Sequence, residues 1–429
     1  MKHALRKFSA ALCLAALLSG CQAGTPPEGP NLKDIEYLPV VEAADFTAID
    51  FTPTARGALS RQSGELSDVG VFFFDRNTGL LMFNDWQADA TYPLCAKVNC
   101  AHTDAACNAW FDTSNGVCPS GLHSDGERLY YFTGGYPAAC YMQDLDGENR
   151  RELFSLEATI SGGYAFDGGS VYFVAQGLSS GEADTGSAVL SGREQVVRAD
   201  LDGGTVETIP LTLPDPAGKI TGLTLLGKYG DALCLFYTEV DRSLFSNFLQ
   251  NQKRTYFLLD TRTGQMQGFL QDKQRAATMT GDTGGLRFGL RVYKDLDWDS
   301  VRTVVCGSGT AEFYSGDVRF IDLEKRVEYS YAPAAGVPAN LTVLDGKLFY
   351  DRFSADGQSA QTVWYDLAAK TEQPLPENMV DFHLYYETDN WFVGRFPSEE
   401  DPLPPYYRIL KSDYYAGNDR FVEIGDIGM

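Results

Sequence analysis

The sequence predicts an all-β protein, a β-propeller built from four-stranded blades. Three observations support this prediction. Aromatic residues make up 13% of the chain and glycine contributes 43 of its 429 residues, a composition that favours strands and tight turns. A two-part phrase, each part a turn followed by a strand, recurs along the chain. Its copies lie 44 to 62 residues apart, close to the usual spacing of propeller blades.

The first half of the phrase is a Gly/Asp turn followed by an aromatic strand. Turn residues next to a run of aromatic and β-branched residues are typical of a hairpin, and each copy therefore predicts a turn followed by a strand. The clearest copies begin at Asp125, Asp167, Gly230 and Asp345.

The second half of the phrase is an aspartate, a turn and a polar strand. Its copies begin at Asp85, Asp144, Asp200, Asp260, Asp322, Asp366 and Asp413. They predict seven blades, with six or eight also compatible with the spacing. We interpret the aspartates as turn residues, because an Asp side chain accepts a hydrogen bond from the backbone two residues on. A pair of β-sandwiches or a β-solenoid is the alternative architecture. Residues 46–51 are expected to pair with the last blade and close the ring.

The N-terminus combines a basic start, a short apolar stretch and a cysteine. Residues 8–18 are apolar but too few to span a bilayer core of about 30 Å. The run Leu18-Ser19-Gly20-Cys21 resembles the lipobox of bacterial lipoproteins. The resemblance implies cleavage before Cys21, acylation of Cys21 by chains such as palmitate, and an extracytoplasmic protein held at the cell membrane by lipid. A plain secretory signal or a buried helix is the alternative.

These features divide the chain into a signal peptide (1–20), a flexible tether (21–43) and a propeller domain (44–429) with a Cys-rich insert at about 93–118. Residues 22–34 are rich in Pro, Gly and polar side chains, which is typical of a tether. No later stretch is apolar enough for a transmembrane helix, so the lipid would be the membrane anchor. We expect a monomer.

The charge of the chain argues against some partners. The formal net charge is −23, and removal of the three basic residues of the signal peptide changes it to −26. Such a surface repels phosphate backbones, so we expect no nucleic-acid partner. We interpret the excess of acidic residues as a solvated surface rather than a cation site.

The repeated phrases also resemble known propellers. The strings DG-x-x-LYYF from Asp125 and DLDG-x-x-x-REL from Asp144 resemble the YWTD-type propellers of low-density-lipoprotein receptors and the TolB-like propellers. Lipobox, tether and propeller together are similar to a group of bacterial surface lipoproteins, and residues 93–111 resemble a Cys-rich stretch in the first blade of that group. The resemblance covers about residues 65–425. The YWTD tetrad itself is missing, so ligand rules of the receptor family do not transfer.

Seven cysteines follow Cys21, and four of them lie within 24 residues together with a histidine. The first interpretation is one or two disulfides that crosslink a long loop, because an extracytoplasmic location permits disulfides. Since seven is an odd number, at least one thiol would stay unpaired. A zinc site is the second, since three thiolates and an imidazole suit zinc. A redox or free-thiol cluster is the third. The residues concerned are Cys95, Cys100, His102, Cys107 and Cys118.

A second candidate cation site is the acidic run of Asp295, Asp297 and Asp299. Its alternating carboxylates resemble the start of a calcium loop. Ser300 stands where such a loop needs Gly, and Cys306 where it needs Glu, so a solvated acidic turn is the preferred interpretation. We expect no cofactor, with zinc or calcium as open alternatives.

Catalytic motifs are weak, and no catalytic residue is assigned. The string G-x-S-x-G at residues 177–181 is followed by Gly- and Ser-rich sequence instead of the helix that a nucleophile elbow requires. After the signal peptide, His102, His123 and His383 are isolated from one another in sequence. A Ser-His-Asp site therefore has no support from spacing.

Aromatic residues are the remaining candidates for recognition. Trp298, Trp391, Tyr406 and Tyr407 are candidate ligand-facing side chains, although most aromatic residues of a propeller pack between blades. We therefore predict a lipid-anchored binding or scaffold module for a protein, peptide or glycan. The alternative is an extracellular glycan-active hydrolase or lyase with carboxylates, Tyr and Arg around the central channel.

Overall fold

A computed structural model of the protein is nearly all β, as the composition predicts. It describes residues 29–43, 59–60, 64–114, 118–177, 194–243, 253–271, 303–308, 317–322, 325–331, 338–353, 360–366, 369–398, 404–425 and 427. In these ranges there is one α-helix, α1 (Lys411–Ala416), and two 3-10 turns, Leu32–Asp34 and Glu377–Met379. No helix in the described ranges is long and apolar enough to cross a membrane.

The fold is a β-propeller with six blades of four consecutive antiparallel strands. Two strands precede them, β1 (Val40–Ala43) and β2 (Leu59–Ser60). Blade 1 contains β3 (Gly64–Ser67), β4 (Gly70–Asp75), β5 (Leu80–Asp85) and β6 (Ala90–Pro93). Blade 2 contains β7 (Pro119–Ser124), β8 (Arg128–Thr133), β9 (Ala138–Asp144) and β10 (Arg151–Leu156).

The next two blades follow directly in sequence. Blade 3 contains β11 (Ala158–Asp167), β12 (Ser170–Gly177), β13 (Glu194–Asp200) and β14 (Val206–Ile209). Blade 4 contains β15 (Lys219–Tyr229), β16 (Ala232–Asp241), β17 (Lys253–Asp260) and β18 (Met266–Phe269).

A mixed sheet stands between blades 4 and 5 in chain order. It contains the antiparallel strands β19 (Thr303–Ser308), β20 (Asp317–Asp322) and β21 (Val327–Tyr331). Its fourth strand is β1, which pairs with β21 in parallel. The phrase at Asp322 belongs to this sheet. The described residues thus contain six four-stranded antiparallel blades, one fewer than the favoured seven and within the range that the spacing allowed.

Two further blades follow the mixed sheet in sequence. Blade 5 contains β22 (Pro338–Leu344), β23 (Lys347–Phe353), β24 (Ala360–Asp366) and β25 (Thr371–Pro374). Blade 6 contains β26 (His383–Glu387), β27 (Trp391–Arg395), β28 (Tyr406–Leu410) and β29 (Val422–Gly425), with α1 between its last two strands.

In each blade the first strand is the innermost and the last strand the outermost. First strands of neighbouring blades contact one another, as β3 does with β7, β7 with β11 and β11 with β15. The outermost strands β6, β14 and β25 are largely exposed. In blades 2 to 6 the pairing of the first and second strands contains a bulge. Bulges increase local twist, which suits blades arranged around an axis.

The hydrophobic core lies between the blades, and β8 shows how the sequence fills it. Leu129 and Tyr131 pack in the core between blades 1 and 2. Tyr130 and Phe132, which alternate with them, pack in the core between blades 2 and 3. Because a middle strand is buried on both faces, its sequence is a continuous apolar run. Each such large apolar side chain contributes roughly 1.5–3 kcal/mol on burial.

Four of the aspartates that open the second half of the phrase are turn residues, as predicted, whereas the prediction was wrong for Asp413, which lies within α1. Asp200 accepts a hydrogen bond at 2.9 Å from the backbone N–H of Asp202. Asp260 accepts two, from Arg262 at 3.0 Å and Thr263 at 2.8 Å. The same type of contact is made by Asp85 and Asp366.

Residues 29–43, here called the outer strap, dock on the outside of the propeller. Asn31 bridges Thr212 after β14, Tyr37 bridges Gly268 in β18, and β1 pairs with β21. Leu32 and Leu38 are buried in this contact. The second part of the predicted tether 21–43 is therefore attached to two blades and the mixed sheet, because its apolar side chains and backbone groups find partners at outer strand edges.

After the outer strap the chain reaches the inner edge of the propeller. There β2 pairs with β11, placing Leu59 opposite Ala165 and Ser60 opposite Tyr164. The strand expected at 46–51 lies outside the described residues.

Side chains join blade 1 to blade 6. The guanidinium of Arg408 lies 5.0 Å from the ring of Trp86 and 4.5 Å from that of Trp391, and it donates a hydrogen bond to the Trp86 carbonyl at 3.1 Å. Asn390 donates from its backbone N–H and its side-chain amide to the Asp68 carboxylate, at 3.0 and 3.2 Å. In the described residues no strand is shared between these two blades.

Two glycines in equivalent turns allow a matched test of how blades 2 and 3 pack. Gly204 and Gly264 both have positive φ, +66° and +72°. A Cβ on Gly204 would lie 2.5 Å from the Leu153 carbonyl oxygen, whereas one on Gly264 would meet nothing within 4 Å. We expect Gly264→Ala to cost about 1 kcal/mol for the left-handed backbone. Gly204→Ala should cost about 1–3 kcal/mol more because of the clash.

Urea denaturation of both variants measures this difference in free energy of unfolding. Equal losses would contradict the close approach of the blade 3 turn to β10.

Candidate functional site

Residues 94–111, here called the cysteine loop, leave β6 and return to blade 1. At the start of the loop the backbone N–H of Leu94 donates to the Leu81 carbonyl at 2.9 Å. At its end the N–H of Phe111 donates to the Gly79 carbonyl at 2.8 Å. Both ends of the loop are therefore held by the same hairpin of blade 1.

Two residues with left-handed backbone fold the loop back on itself. Asn99 has φ +59° and His102 has φ +55°. Lys97 fixes the resulting shape by donating from Nζ to the Ala106 carbonyl at 2.6 Å. Asn is among the residues that tolerate this backbone region best. The loop thereby brings cysteines that are separated in sequence close together in space.

The structure brings four of the five residues singled out here together. The donor atoms of Cys95, Cys100, His102 and Cys107 all lie within 4.8 Å of one another. His102 Nδ1 is 3.1 Å from Cys107 Sγ. Cys118 is outside this group, although it packs against the same core. All four cysteines are free thiols, so the disulfides expected in this loop are not formed in the structure.

The thiols of this group differ in how readily they ionise. Burial opposes ionisation of Cys95, yet hydrogen bonds from the backbone of Lys97 and Asn108, together with the neighbouring thiols, lower its pKa overall. Burial raises the pKa of Cys107 to about 11, although the backbone N–H of Ala109 donates to its sulfur at 3.3 Å. N–H donors aimed at sulfur favour the thiolate form that a metal ion requires.

The cysteine loop also contacts blade 2. The N–H of Ala96 donates to the Asp146 carbonyl at 3.0 Å. Arg150 donates to the carbonyls of Asn108 at 3.3 Å and Trp110 at 3.2 Å. Sequence reasoning missed this role of Arg150, because nothing in the sequence indicates that a turn 40 residues later lies against the loop.

Several predicted site residues lie outside the described residues. They are Cys21, Asp295, Asp297, Trp298 and Asp299. Lipidation of Cys21 and the calcium alternative therefore stay predictions.

The other three candidate ligand-facing aromatics are engaged in packing. Tyr406 is 3% exposed. The ring of Trp391 lies 5.7 Å from that of Trp86 in the contact between blades 1 and 6. Tyr407 is half-buried and donates from its hydroxyl to Glu423 at 3.2 Å. Tyr406 and Trp391 therefore contribute to blade contacts rather than presenting their faces to solvent.

Tyr385 is the exposed aromatic residue of this region. It is the extra residue of the bulge in β26, between Leu384 and Tyr386, and is 39% exposed. Its ring meets Tyr406 edge to face at 6.1 Å, and Arg395 covers Tyr406 at 3.6 Å. We call Tyr385, Tyr386, Tyr406 and Arg395 the tyrosine patch. The sequence shows the Tyr-Tyr pair, but the bulge that exposes one ring has no sequence signal.

Carboxylates, a lysine and a tyrosine also converge between blades 5 and 6. Lys411 Nζ lies 2.7 Å from Glu387 and 3.1 Å from Asp345, and the Tyr415 hydroxyl donates to Asp345 at 2.9 Å. The Lys411 side chain is 9% exposed. Burial by itself raises the pKa of Asp345, but Lys347 and Lys411 outweigh it and lower the pKa overall. The charges and hydrogen-bonding groups of these residues are paired with one another, which is typical of a structural contact between blades.

Comparisons with known proteins add information on the fold alone. No protein-family model matches the sequence, and no match was found among curated proteins. The chain is similar in structure to a prolyl endopeptidase, with 11% identity and a TM-score of 0.49 over 87% of this chain and 50% of that one. It is similar to a puromycin-hydrolysing peptidase of Mycobacterium tuberculosis, with 13% identity and a TM-score of 0.41 over 82% and 54%.

TolB from Acinetobacter baumannii is a further structural neighbour, with 14% identity and a TM-score of 0.30 over 77% of this chain and 66% of TolB. The chain thus spans about half the length of the two peptidases and 66% of the length of TolB. TolB and other β-propeller proteins are among the structural neighbours. The resemblance to the receptor propellers stays a prediction.

The charged network of Lys411, Glu387 and Asp345 between blades 5 and 6 predicts a large effect of one substitution on stability. Lys411→Met keeps the volume but leaves the buried Glu387 without the Lys411 cation and Asp345 with Lys347 alone. We therefore expect a loss of about 3–5 kcal/mol in the free energy of unfolding. The control is Lys219→Met, which removes a lysine that is 44% exposed and paired with Glu239. That change should cost less than about 1 kcal/mol. Similar losses in both variants would contradict the structural role of Lys411.

The same network predicts a pH dependence. The pKa of Asp345 is lower in the folded state than its unfolded value of about 3.9. Its ionisation therefore contributes stability above that unfolded value, and the contribution is lost as pH falls through the lower folded pKa. In Lys411→Met this part of the acid dependence should shrink. Denaturation midpoints between about pH 2 and 6 test this, and an unchanged acid slope in the variant would argue against the coupling.

Proposed function

We propose that this protein is a lipid-anchored extracytoplasmic β-propeller that binds a protein, peptide or glycan. The observation that carries the proposal is the exposed ring of Tyr385 on the innermost strand of blade 6. Loops and inner edges of a rigid propeller are suited to recognition, because the scaffold holds side chains in place before the ligand arrives.

The tyrosine patch has the chemistry of a stacking site. Tyr386 and Tyr406 lie within 6.3 and 6.1 Å of the Tyr385 ring and restrict its motion. Aromatic side chains add contact area at a low loss of conformational entropy, and their hydroxyls add a polar contact. The planar guanidinium of Arg395 adds a cation beside the rings. Such a surface is suited to a sugar ring or a peptide side chain.

The outer strap limits how far the propeller would stand from the membrane. If Cys21 carries lipid, residues 22–28 alone separate it from the docked strap, which begins with the Gly29 carbonyl accepting from Thr212 at 3.1 Å. Seven residues reach at most about 25 Å. The outer edge of blade 3 would therefore stay close to the headgroups.

Binding through the tyrosine patch is tested by substitution of Tyr385. The full chain, purified in detergent, is applied to glycan and peptide arrays that are analysed for bound protein and for product. Tyr385→Ala should weaken binding to the ligand found by about 10-fold or more, as expected for an exposed aromatic anchor. Tyr136→Ala is the matched control, because Tyr136 is 47% exposed on another blade.

Two results would overturn the proposal. Turnover of an arrayed glycan would make the protein an enzyme, and equal affinities of the Tyr385→Ala variant and the unchanged chain would place binding elsewhere.

Lipid anchoring is tested at Cys21. In the native host, Cys21→Ser should abolish incorporation of a labelled fatty acid and release the chain from the membrane fraction, because the acyl chains supply the membrane affinity. Cys118→Ser is the matched control and should stay labelled. Membrane retention of the unlabelled Cys21→Ser chain would show that another element anchors it.

A further inference from the structure

The Cys and His side chains of the cysteine loop already approach the spacing of a metal site. In a tetrahedral zinc site the Zn–S bonds are about 2.3 Å and the Zn–N bond about 2.0 Å, which places the donor atoms about 3.5–3.8 Å apart. Here the four donors lie within 4.8 Å of one another, and one N–S pair is at 3.1 Å. We propose that Cys95, Cys100, His102 and Cys107 bind one Zn²⁺ ion.

The donor set selects the class of metal. Thiolates and imidazole are soft and borderline ligands that suit zinc, whereas calcium and magnesium require oxygen ligands. Three thiolates and one neutral imidazole also fill a tetrahedral shell completely. A site with four protein ligands leaves no open position for a substrate or water, so the site is structural rather than catalytic.

The number of donors favours zinc over a disulfide. Three cysteines belong to the group, so one disulfide within it would leave a third thiol and the imidazole of His102 without a shared role. Zinc uses all four donors. It also protects thiolates that an oxidising compartment would otherwise oxidise.

The backbone around the donors is already arranged for thiolate ligands. The N–H of Ala109 donates to Cys107 Sγ at 3.3 Å. Cys107 itself is held in a turn by its N–H, which donates to the Asp104 carbonyl at 2.9 Å. Hydrogen bonds of this kind orient metal ligands and are part of what sets metal affinity. Small side-chain rotations, without a change in the loop backbone, would complete the shell.

The ion would brace the contact between blades 1 and 2. Cys107 and Leu94 belong to the same core as Leu122 and Tyr131 of blade 2. The cysteine loop is bonded to blade 1 at its two ends, and Ala96, Asn108 and Trp110 are hydrogen-bonded to the turn that follows β9 in blade 2. A metal crosslink restricts such a loop in the unfolded chain and stabilises the folded one.

Metal content and coordination test the proposal directly. The full chain, purified in detergent without chelators, should contain about one zinc per molecule by mass spectrometry of the metal. X-ray absorption at the zinc edge should show three sulfur neighbours at about 2.3 Å and one nitrogen at about 2.0 Å. Cobalt substitution should give the charge-transfer bands of a thiolate-bound tetrahedral ion. Removal of zinc by a chelator should lower the melting temperature, and added zinc should restore it.

Variants separate ligation from folding. Cys100→Ser should lower zinc affinity by more than 10-fold, whereas Cys118→Ser, a cysteine near the group but outside it, should keep one zinc. His102→Cys should also keep one zinc, now with four sulfur neighbours, because a thiolate can replace the imidazole.

Three results would overturn the proposal. The first is a chain that binds no zinc or cobalt while its thiols stay free. The second is a mapped disulfide that joins two of Cys95, Cys100 and Cys107. The third is an equal loss of zinc in Cys100→Ser and Cys118→Ser.

Discussion

The propeller depends on the contact that closes it between blade 1 and blade 6. Each blade buries its faces only against its neighbours, so the core is complete only when the two ends of the chain of blades meet. In the described residues this contact is made by side chains. Arg408 lies between the rings of Trp86 and Trp391, and Asp68 accepts both N–H donors of Asn390. Cation–π contacts of a buried guanidinium are among the stronger ones.

The same kind of contact recurs between other neighbours. Glu65 of blade 1 accepts the backbone N–H of Ser124 in blade 2. Glu387 of blade 6 accepts that of Asp345 in blade 5. In each case a carboxylate on the first strand of one blade accepts a hydrogen bond from the end of the first strand of a neighbouring blade, or from the residue after it. A charged acceptor makes these hydrogen bonds stronger than neutral ones.

Both proposed sites border blade 1, on opposite sides. The cysteine loop lies between blades 1 and 2, and the tyrosine patch adjoins the core between blades 6 and 1. Their physical roles differ. In the cysteine loop Cys107 is buried, the other three donor residues are half-buried, and the four donor atoms lie within 4.8 Å of one another, which suits a structural ion. The tyrosine patch ends in an exposed ring, which suits an external ligand. The outer strap lies along blades 3 and 4 and the mixed sheet.

The sequence by itself determined the blade architecture, because turn residues and apolar runs act locally. The aspartates at Asp200 and Asp260 were recognisable as turn residues, and the aromatic run after Asp125 as a strand. It also indicated Cys95, Cys100, His102 and Cys107 as one group. Only the tertiary structure decided the rest. In the folded protein the outer strap is paired with the blades, and Tyr406 and Trp391 are packed between them. A bulge exposes Tyr385, and Cys118 lies apart from the other thiols of the loop. These outcomes depend on contacts between residues far apart in the chain, which local pattern and spacing do not record.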